Sequence, residues 1–547
     1  MSRKLAQLVS SAIVAVALAS SGVGAASPIK NVIILMQENR AFDHMLGHLG
    51  LVNPAIDGLQ TAQSNPMDPS DPSSPTVPVV IGGAVDGGPT DPLHDFNSIT
   101  QQVFGFEKPM GDKTSPVLMN GFVANAAAKA KNFVMNAFNA TQLPTLSTLA
   151  TEFALFDHWH PSLPTCTNPN REYMMSGTSH GATTNTIPTA GFPQQTHFTW
   201  LAERNVSSKI YYNDDPWMAP CFAELRAPEW LARTLEMPQF YDDLKSGTLA
   251  QFSLIQPRMA TSATGASNWQ HPDNSVEAGE IFYAEVYEAL RASSYWEQSL
   301  LLITYDEHGG FFDHQPTPTV GVPAPDDIPG DNGFDWSRLG VRVPTVAISP
   351  FISKGTVVGE PSGAQAPEAT SQFEHTSIIS TTNKIFGLSG SMTMRDAWAG
   401  HFENLVDGST PLRSDCPMTL PRPAAPSAAT LAREAATPLN DHHLDSINLE
   451  CFLAAHAHPV CAGFSGDRTP FLAQVGADAA AAAAAAVAVD ARTAGARTEA
   501  EQAWQLVGAD SEWPHLFQPA ARMLLQRHFG EISRALFSVV KRNAGVF

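Results

Sequence analysis

Strongly hydrophobic runs alternate with helical patterns along most of the chain. Residues 29–37 and 299–305 are mostly apolar, which is typical of strands covered on both faces, and residues 340–351 contain a third run of this kind. The segments with helical character are residues 142–160, where a helix leads into a short strand, 275–293, with Ile281, Phe282, Val286, Ala289 and Leu290 on one face, and 374–388. Strands that alternate with helices predict an α/β fold with a mainly parallel sheet flanked by helices.

Two of the apolar runs end abruptly in polar pairs. Glu38 and Asn39 follow the first run, and Asp306 and Glu307 follow the second. In parallel sheets, ligands bind beyond the carboxyl ends of the strands. If the two runs are parallel neighbours, both polar pairs lie at the same edge of the sheet, and we expect the functional site there.

The two ends of the chain differ from its middle. Residues 1–26 have a basic start, an apolar stretch and then small residues, which predicts a signal peptide, with a retained membrane anchor as the alternative. We therefore expect a secreted protein, extracellular or periplasmic if the source is bacterial. Residues 27–417 are expected to form the main domain. From about residue 418 the composition changes to Ala, Pro, His and Arg, which favours a mostly helical C-terminal region over residues 418–547.

Net charge limits the possible partners. The 547 residues carry a formal charge of −21, with 53 acidic residues against 32 Lys and Arg, so nucleic acid is not an expected partner. The last stretch, from residue 521, is amphipathic and locally basic, and either contacts a membrane surface or packs on the main domain. Disulfide pairing stays open among Cys166, Cys221, Cys416, Cys451 and Cys461.

The predicted sheet edge carries ligands for a hard cation. Glu38, Asp306 and Glu307 supply carboxylates, and Asn39 supplies a carboxamide oxygen. An all-oxygen set suits one divalent ion such as Ca²⁺, Mg²⁺ or Mn²⁺ rather than a structural zinc. The alternative is that these acids lie in ordinary surface turns. Two such pairs after buried runs make the metal site the better interpretation.

The segment TCTNPNR, residues 165–171, supplies candidate nucleophiles. Thr165 and Thr167 carry hydroxyl groups, and a hydroxyl bound to a metal loses its proton more easily at neutral pH. Arg171 has a planar guanidinium suited to phosphate oxygens. Cys166 is a competing nucleophile, although no evident His–Asn or His–Asp pattern accompanies it.

Histidines are the expected proton donors to a leaving group. The candidates are His94, His271 and His314, and Asp273 can orient His271. A structural role is the alternative for each of them. The neighbouring residues with expected supporting roles are Arg40, which pairs with a site carboxylate, Asp43 and His44.

Four sequence blocks carry a family resemblance. They are ENRAFDHMLG (38–47), TNPNR (167–171), DEHGGFFDH (306–314) and GVRVPTVAISP (340–350), with DPLHDF, MNGF, VYEALRAS and HTSI in support. Together they resemble the signature blocks of the bacterial phospholipase C/acid phosphatase phosphoesterase family, and most of all the plant-type non-specific phospholipases C. The blocks lie in family order between residues 28 and 390, and the region after 418 resembles the family only loosely.

The resemblance implies an alkaline-phosphatase-like α/β fold and phosphoester hydrolysis. It also implies that Thr167 is the nucleophile and becomes transiently phosphorylated. One departure is Ala41, where the family usually has Ser, but that Ser is not the nucleophile. The positions that correspond to the family's metal ligands are Glu38, Asn39, Thr167, Asp306 and Glu307.

Three functions are consistent with these blocks. The first is a phospholipase C that cleaves phosphatidylcholine-type lipids to diacylglycerol and a phosphorylated headgroup, with peripheral membrane contact. The second is an acid phosphatase that acts on soluble phosphomonoesters with the same residues. The third is a non-catalytic binding protein on the same fold, which would require lost site residues, and none is lost.

Overall fold

A large mixed sheet forms the centre of the computed structural model, which describes residues 27–60, 63–106, 115–188, 190–214, 216–261 and 265–436. The strands of this sheet are β1 (Asn31–Gln37), β2 (Ala154–Phe156), β3 (Ser208–Tyr212), β4 (Thr234–Glu236), β5 (Phe252–Gln256), β6 (Ser299–Tyr305), β7 (Thr345–Ile348) and β8 (Thr356–Val358). Their order across the sheet is β8-β2-β7-β6-β1-β5-β3-β4. Every residue of β1 and β6 is buried, so both runs form central strands.

Strand directions are parallel with one exception. β1 pairs in parallel with both β5 and β6, whereas β7 is antiparallel to β6 and β2. The chain between β6 and β7 contains no helix within the described residues, so it lacks the crossover that a parallel return needs. It runs instead over the carboxyl edge and enters β7 from that side. The predicted α/β fold with a mainly parallel sheet is confirmed.

Helices cover both faces of the sheet. They are α1 (Phe42–Met45), α2 (Phe96–Phe104), α3 (Phe122–Asn125), α4 (Lys131–Met135), α5 (Pro144–Glu152), α6 (Thr167–Ser176), α7 (His197–Ala202), α8 (Pro228–Leu231), α9 (Met237–Ser246), α10 (Val276–Arg291), α11 (Ser377–Ile385), α12 (Met394–Trp398) and α13 (Ala428–Ala436). The predicted helices at 142–160, 275–293 and 374–388 correspond to α5, α10 and α11. The buried face of α10 also includes Tyr283 and Tyr287, whose hydroxyls reach polar partners.

The register between β1 and β6 places the two polar pairs side by side. Gln37 and Tyr305 are paired, so Glu38 and Asp306 leave the sheet at the same level. Asn39 has a left-handed backbone, with φ of 56°. Gly309 approaches the same turn so closely that a Cβ there would lie 2.2 Å from the Asn39 carbonyl oxygen. The two turns therefore pack directly against each other.

The start of the predicted C-terminal region packs on the main domain. Leu420 is buried, and its backbone N–H donates to Glu288 of α10 at 2.9 Å. Glu434 of α13 accepts from the Ser275 backbone N–H at 2.6 Å, at the start of α10. Residues 437–547, with the basic stretch from 521 and with Cys451 and Cys461, lie outside the described residues, as do residues 1–26. The boundary at 418 stays a prediction.

Two further observations concern thiols and membranes. Cys166, Cys221 and Cys416 are buried, and the Cys221 thiol donates to the Trp217 carbonyl at 3.2 Å. Within the described part of the chain, no helix has the length and hydropathy needed to cross a bilayer.

Candidate active site

Thr167 is the first residue of α6, and its side chain points at the end of β1. The Thr167 hydroxyl donates a hydrogen bond to Glu38 Oε1 at 2.7 Å. All ten residues of α6 are buried, so this hydroxyl is held in one place by the surrounding protein. Thr165, the other candidate hydroxyl, donates instead to the Thr183 carbonyl at 2.6 Å.

Arg171 lies one helical turn after Thr167 and connects two of the carboxylates. Its Nη2 donates to Glu38 Oε2 at 2.5 Å, and its Nε donates to Asp306 Oδ2 at 3.0 Å. Nη2 also donates to the Gln37 carbonyl at 2.8 Å, and the guanidinium lies 4.8 Å from the ring centroid of Trp217. In this structure Arg171 positions the carboxylates, and its contact with a substrate phosphate stays a prediction.

Asn39 and Glu307 complete the group of oxygen ligands. The Asn39 backbone N–H donates to Asp306 Oδ1 at 3.0 Å, and Glu307 Oε2 accepts from the Gly309 N–H at 2.7 Å. Asn39 Oδ1 and Glu307 Oε1 are buried but have no hydrogen-bond partner among the described residues. We call the set Glu38, Asn39, Thr167, Asp306 and Glu307 the carboxylate centre.

Two of the three candidate histidines lie beside the carboxylate centre. His94 Nε2 is 3.3 Å from Asn39 Nδ2 and 3.6 Å from Glu307 Oε1. Asp91 connects the two histidines, because its Oδ1 is 3.8 Å from His94 Nδ1 and its Oδ2 is 3.6 Å from His271 Nε2. Asp273 orients the ring of His271, as the sequence suggests.

The loop that carries His271 has two supports. His271 Nδ1 lies 2.5 Å from Asp273 Oδ1, and its ring stacks on Trp269. Arg40 donates to the carbonyls of Gln270, at 2.8 Å, and His271, at 3.3 Å. The hydrogen bonds of Arg40 therefore hold this loop, whereas the sequence suggested a pairing with a carboxylate.

Electrostatics give the residues of the site different proton affinities. Burial raises the pKa of the Glu307 carboxyl to about 8. Burial opposes protonation of His94, but the charges of Glu307 and Asp91 raise the pKa of this histidine to about 9. Burial also raises the pKa of the Cys166 thiol to about 12, which disfavours a thiolate nucleophile. With a pKa of about 9, His94 is protonated at neutral pH and can serve as a proton donor beside the centre.

The residues of the carboxylate centre fit a hard cation. All its donor atoms are oxygens, and three of the groups are acidic. Two of its buried oxygens lack a hydrogen-bond donor among the described residues, which is costly unless a ligand completes them. The evidence that the carboxylate centre can hold a cation is therefore its set of oxygen donors and these two unpaired oxygens.

His314, the third candidate, belongs to a different group of charges. His314 Nδ1 is 2.7 Å from Asp43 Oδ2, and its Nε2 is 3.0 Å from Asp57 Oδ1. Arg342 Nε donates to Asp313 Oδ1 at 2.9 Å, and its Nη2 donates to Asp43 Oδ1 at 3.2 Å. We call Arg342, Asp43, Asp57, Asp313 and His314 the arginine clamp.

The arginine clamp also contains a group that could hold a metal ion. One ligand atom from each of Asp43, Asp313 and His314 lies within 4.8 Å of the others. The guanidinium of Arg342 already donates to both carboxylates, so positive charge is present in this group. The sequence predicted that Asp43 supports the fold, and its contacts agree with that role.

Sequence reasoning named no role for several residues around the site. Asp91 connects His94 to His271, and His375 Nε2 lies 2.7 Å from the Asp306 carbonyl oxygen. Both residues lie in the sequence blocks DPLHDF and HTSI, which contribute to the family resemblance but do not indicate a role for either residue. Trp217 lies in no such block, and its contact with Arg171 depends on the fold.

Comparisons with known proteins show which family the chain belongs to. Residues 29–389 match the Phosphoesterase family. The chain is 42% identical over 448 residues to non-specific phospholipase C3 of Arabidopsis thaliana, which covers 80% of this chain and 83% of the relative. It is 29% identical over 440 residues to phospholipase C A of Mycobacterium tuberculosis, covering 72% of this chain and 80% of the relative.

A solved protein of the alkaline phosphatase superfamily from Vibrio parahaemolyticus has a limited likeness to this chain. The TM-score is 0.30 at 11% identity, over 64% of this chain and 77% of that protein. The residues that match the family, 29–389, include every residue of the carboxylate centre. The chain therefore belongs to the Phosphoesterase family, as its sequence blocks predict, and is a hydrolase of phosphoester bonds.

Proposed function

We propose that this chain is a secreted phospholipase C that hydrolyses phosphatidylcholine-type lipids to diacylglycerol and a phosphorylated headgroup. The observation that carries the proposal is the contact between Thr167 and Glu38 inside a carboxylate centre with two unsatisfied oxygens. Its relatives named as phospholipases C, at up to 44% identity, support the lipid substrate. Secretion is supported by the sequence pattern of residues 1–26.

In the proposed first step, Thr167 Oγ attacks phosphorus and loses its proton towards Glu38 Oε1. The new Oγ–P bond forms as the bond between phosphorus and the diacylglycerol oxygen breaks, which leaves the headgroup phosphate on Thr167. Protonated His94 gives its proton to the departing diacylglycerol oxygen, and the hydrogen bond from its Nδ1–H to the Pro92 carbonyl, at 2.6 Å, holds the ring in place. General acid catalysis of this kind contributes about 10²–10⁴-fold.

In the second step, water attacks the phosphothreonine and releases the phosphorylated headgroup. Neutral His94 takes a proton from this water and regains its protonated form, while the Oγ–P bond breaks and Glu38 returns its proton to Thr167 Oγ. Glu38, Asn39, Thr167, Asp306 and Glu307 would hold one hard divalent ion, which supplies positive charge for the phosphoryl oxygens and lowers the pKa of a bound hydroxyl. Arg171 keeps the Glu38 and Asp306 carboxylates in position for it.

Access to a lipid substrate is supported by apolar residues beside the site. Leu93 directly precedes His94, and its side chain is 53% exposed. Phe106, two residues after the end of α2, and Leu118 are also exposed. We include peripheral contact with a membrane surface in the proposal because these side chains can enter the interface.

The decisive experiment compares lipid and soluble substrates. Purified full-length protein is incubated with phosphatidylcholine vesicles, with and without added Ca²⁺, Mg²⁺ or Mn²⁺, and diacylglycerol is measured. We expect diacylglycerol release that falls after chelation and returns with the divalent ion. If the protein turns over only p-nitrophenyl phosphate, it is an acid phosphatase, and if it turns over neither, it is a binding protein.

A further inference from the structure

One histidine behind the carboxylate centre contacts the backbone between two of its acidic residues. Asp306 and Glu307 are consecutive, so a single planar peptide unit connects them. The carbonyl of this peptide unit accepts a hydrogen bond from His375 Nε2 at 2.7 Å. Its N–H donates to Asp306 Oδ1, also at 2.7 Å. Both polar groups of the peptide unit are therefore bound, which fixes its orientation.

Within the described residues, the sheet does not supply the donor that His375 provides. Strand β6 ends at Tyr305, and its pairing with β7 ends at Ile303, before Asp306 is reached. On the other side, the Asn39 N–H donates to the Asp306 side chain and not to its carbonyl. A buried carbonyl without a donor is costly. His375 therefore completes the end of β6 with a side chain.

A second contact determines the tautomer of the His375 ring. Trp159 Nε1 can only donate, and it donates to His375 Nδ1 at 3.3 Å. Nδ1 is therefore the acceptor, and Nε2 carries the hydrogen that the Asp306 carbonyl accepts. Both side chains are fully buried. The imidazole cannot turn without losing both hydrogen bonds.

The backbone around His375 is held in place as well. Glu374 pairs with His160 in a short parallel ladder. The Glu374 carboxylate also accepts hydrogen bonds from the hydroxyls of Ser162 and Thr376. Helix α11 begins two residues after His375. His375 is thus supported on both sides in the chain, as a residue that orients other side chains needs to be.

We propose that His375 is a positioning residue of the carboxylate centre, which directs the side chains of Asp306 and Glu307 towards the bound divalent ion. The inference rests on the proposed function, because it takes the centre to be the metal site. His375 acts through the backbone, since its bond ends on a carbonyl oxygen and not on a carboxylate. Rotation of that peptide unit would tilt both acidic side chains at once.

The test is the affinity of the full-length protein for Mn²⁺, an ion that suits oxygen ligands. Chelator-treated protein is titrated with Mn²⁺, and free Mn²⁺ is measured by electron paramagnetic resonance. His375→Phe keeps a ring but removes both nitrogens, and we expect its Kd for Mn²⁺ to rise about 10–100-fold. His375→Gln keeps an N–H donor, so its Kd should lie between those of His375→Phe and the unaltered protein.

His160→Phe is the matched control. His160 is also buried, and its Nδ1 lies 3.1 Å from the backbone carbonyl of Gly340. This variant removes the same kind of hydrogen bond without touching Asp306, and it should leave the Kd for Mn²⁺ unchanged. An equal rise of the Kd in His160→Phe and His375→Phe would overturn the proposal, because it would show a general loosening of this region.

The same titration separates this inference from the proposed function. If the unaltered protein binds one Mn²⁺ and His375→Phe has the same Kd, His375 has no positioning role, and the metal site stands. If the unaltered protein binds no Mn²⁺, both proposals are wrong. If His375→Phe does not fold, Trp159→Phe takes its place, because it removes the donor to His375 Nδ1. We expect a raised Kd there too, and an unchanged Kd would contradict the proposal.

Discussion

The carboxylate centre and the arginine clamp are built from the same two sequence blocks. The first residues of ENRAFDHMLG and DEHGGFFDH supply the carboxylate centre, and later residues of the same blocks supply Asp43, Asp313 and His314 to the clamp. Both groups are rich in buried acids and each includes an arginine. They differ in how completely their oxygens are paired.

In the arginine clamp, both oxygens of Asp43 and of Asp313 accept hydrogen bonds from the protein. In the carboxylate centre, Asn39 Oδ1 and Glu307 Oε1 have no donor among the described residues. Polar groups satisfied by the protein contribute to stability, whereas unsatisfied buried oxygens are completed by a ligand. The comparison supports the proposal that the centre carries binding and catalysis, and from it we expect the clamp to stabilise the fold.

The largest expected effect is on catalysis. Thr167→Ala removes the proposed nucleophile, so we expect kcat for phosphoester hydrolysis to fall by roughly 10³–10⁶-fold. The Tm should change little, because the loss of one hydrogen bond costs only about 1 kcal/mol. Thr165→Ala is the matched control, since this neighbouring hydroxyl contacts a backbone carbonyl, and it should keep most activity. Full activity in Thr167→Ala would contradict the assignment of Thr167 as the nucleophile.

The next effect is on stability. Arg342→Met leaves the carboxylates of Asp43 and Asp313 buried without their cation, and we expect the free energy of unfolding to fall by about 3–5 kcal/mol. Urea unfolding monitored by fluorescence measures this change. Arg422→Met is the control, because the pair of Arg422 with Glu288 is partly exposed and contributes about 0–1 kcal/mol. If Arg342→Met loses turnover but keeps its free energy of unfolding, the arginine clamp acts in catalysis and not in stability.

The smallest effect is the pH dependence of the clamp. Burial opposes protonation of His314, but Asp43 and Asp57 raise its pKa to about 10. Because this pKa is above the usual 6.5, His314 stabilises the folded state fully below pH 6.5, and this stabilisation declines as pH rises to 10. The Tm of the unaltered protein should therefore fall more steeply over this range than that of His314→Gln. Parallel Tm profiles would contradict the role of His314.

Local sequence patterns predicted the strands β1, β2, β6 and β7, the helices α5, α10 and α11, and the residue types of the site. The apolar runs of β1 and β6 and the polar pairs after them were sufficient to predict one sheet edge with Glu38 and Asp306 close together. This succeeded because parallel neighbours align their carboxyl ends, whatever the rest of the fold does. The blocks also determined the family, because their spacing and order are specific.

Only the tertiary structure decided which partner each charged side chain meets. His94 and His314 were equal candidates in sequence, yet one lies beside Glu307 and the other between Asp43 and Asp57. Arg171 is surrounded by carboxylates and carbonyls, and its expected contact with phosphate stays a prediction. The sequence shows which side chains can donate or accept a proton. Their partners come from distant segments of the chain, and only folding brings those segments together.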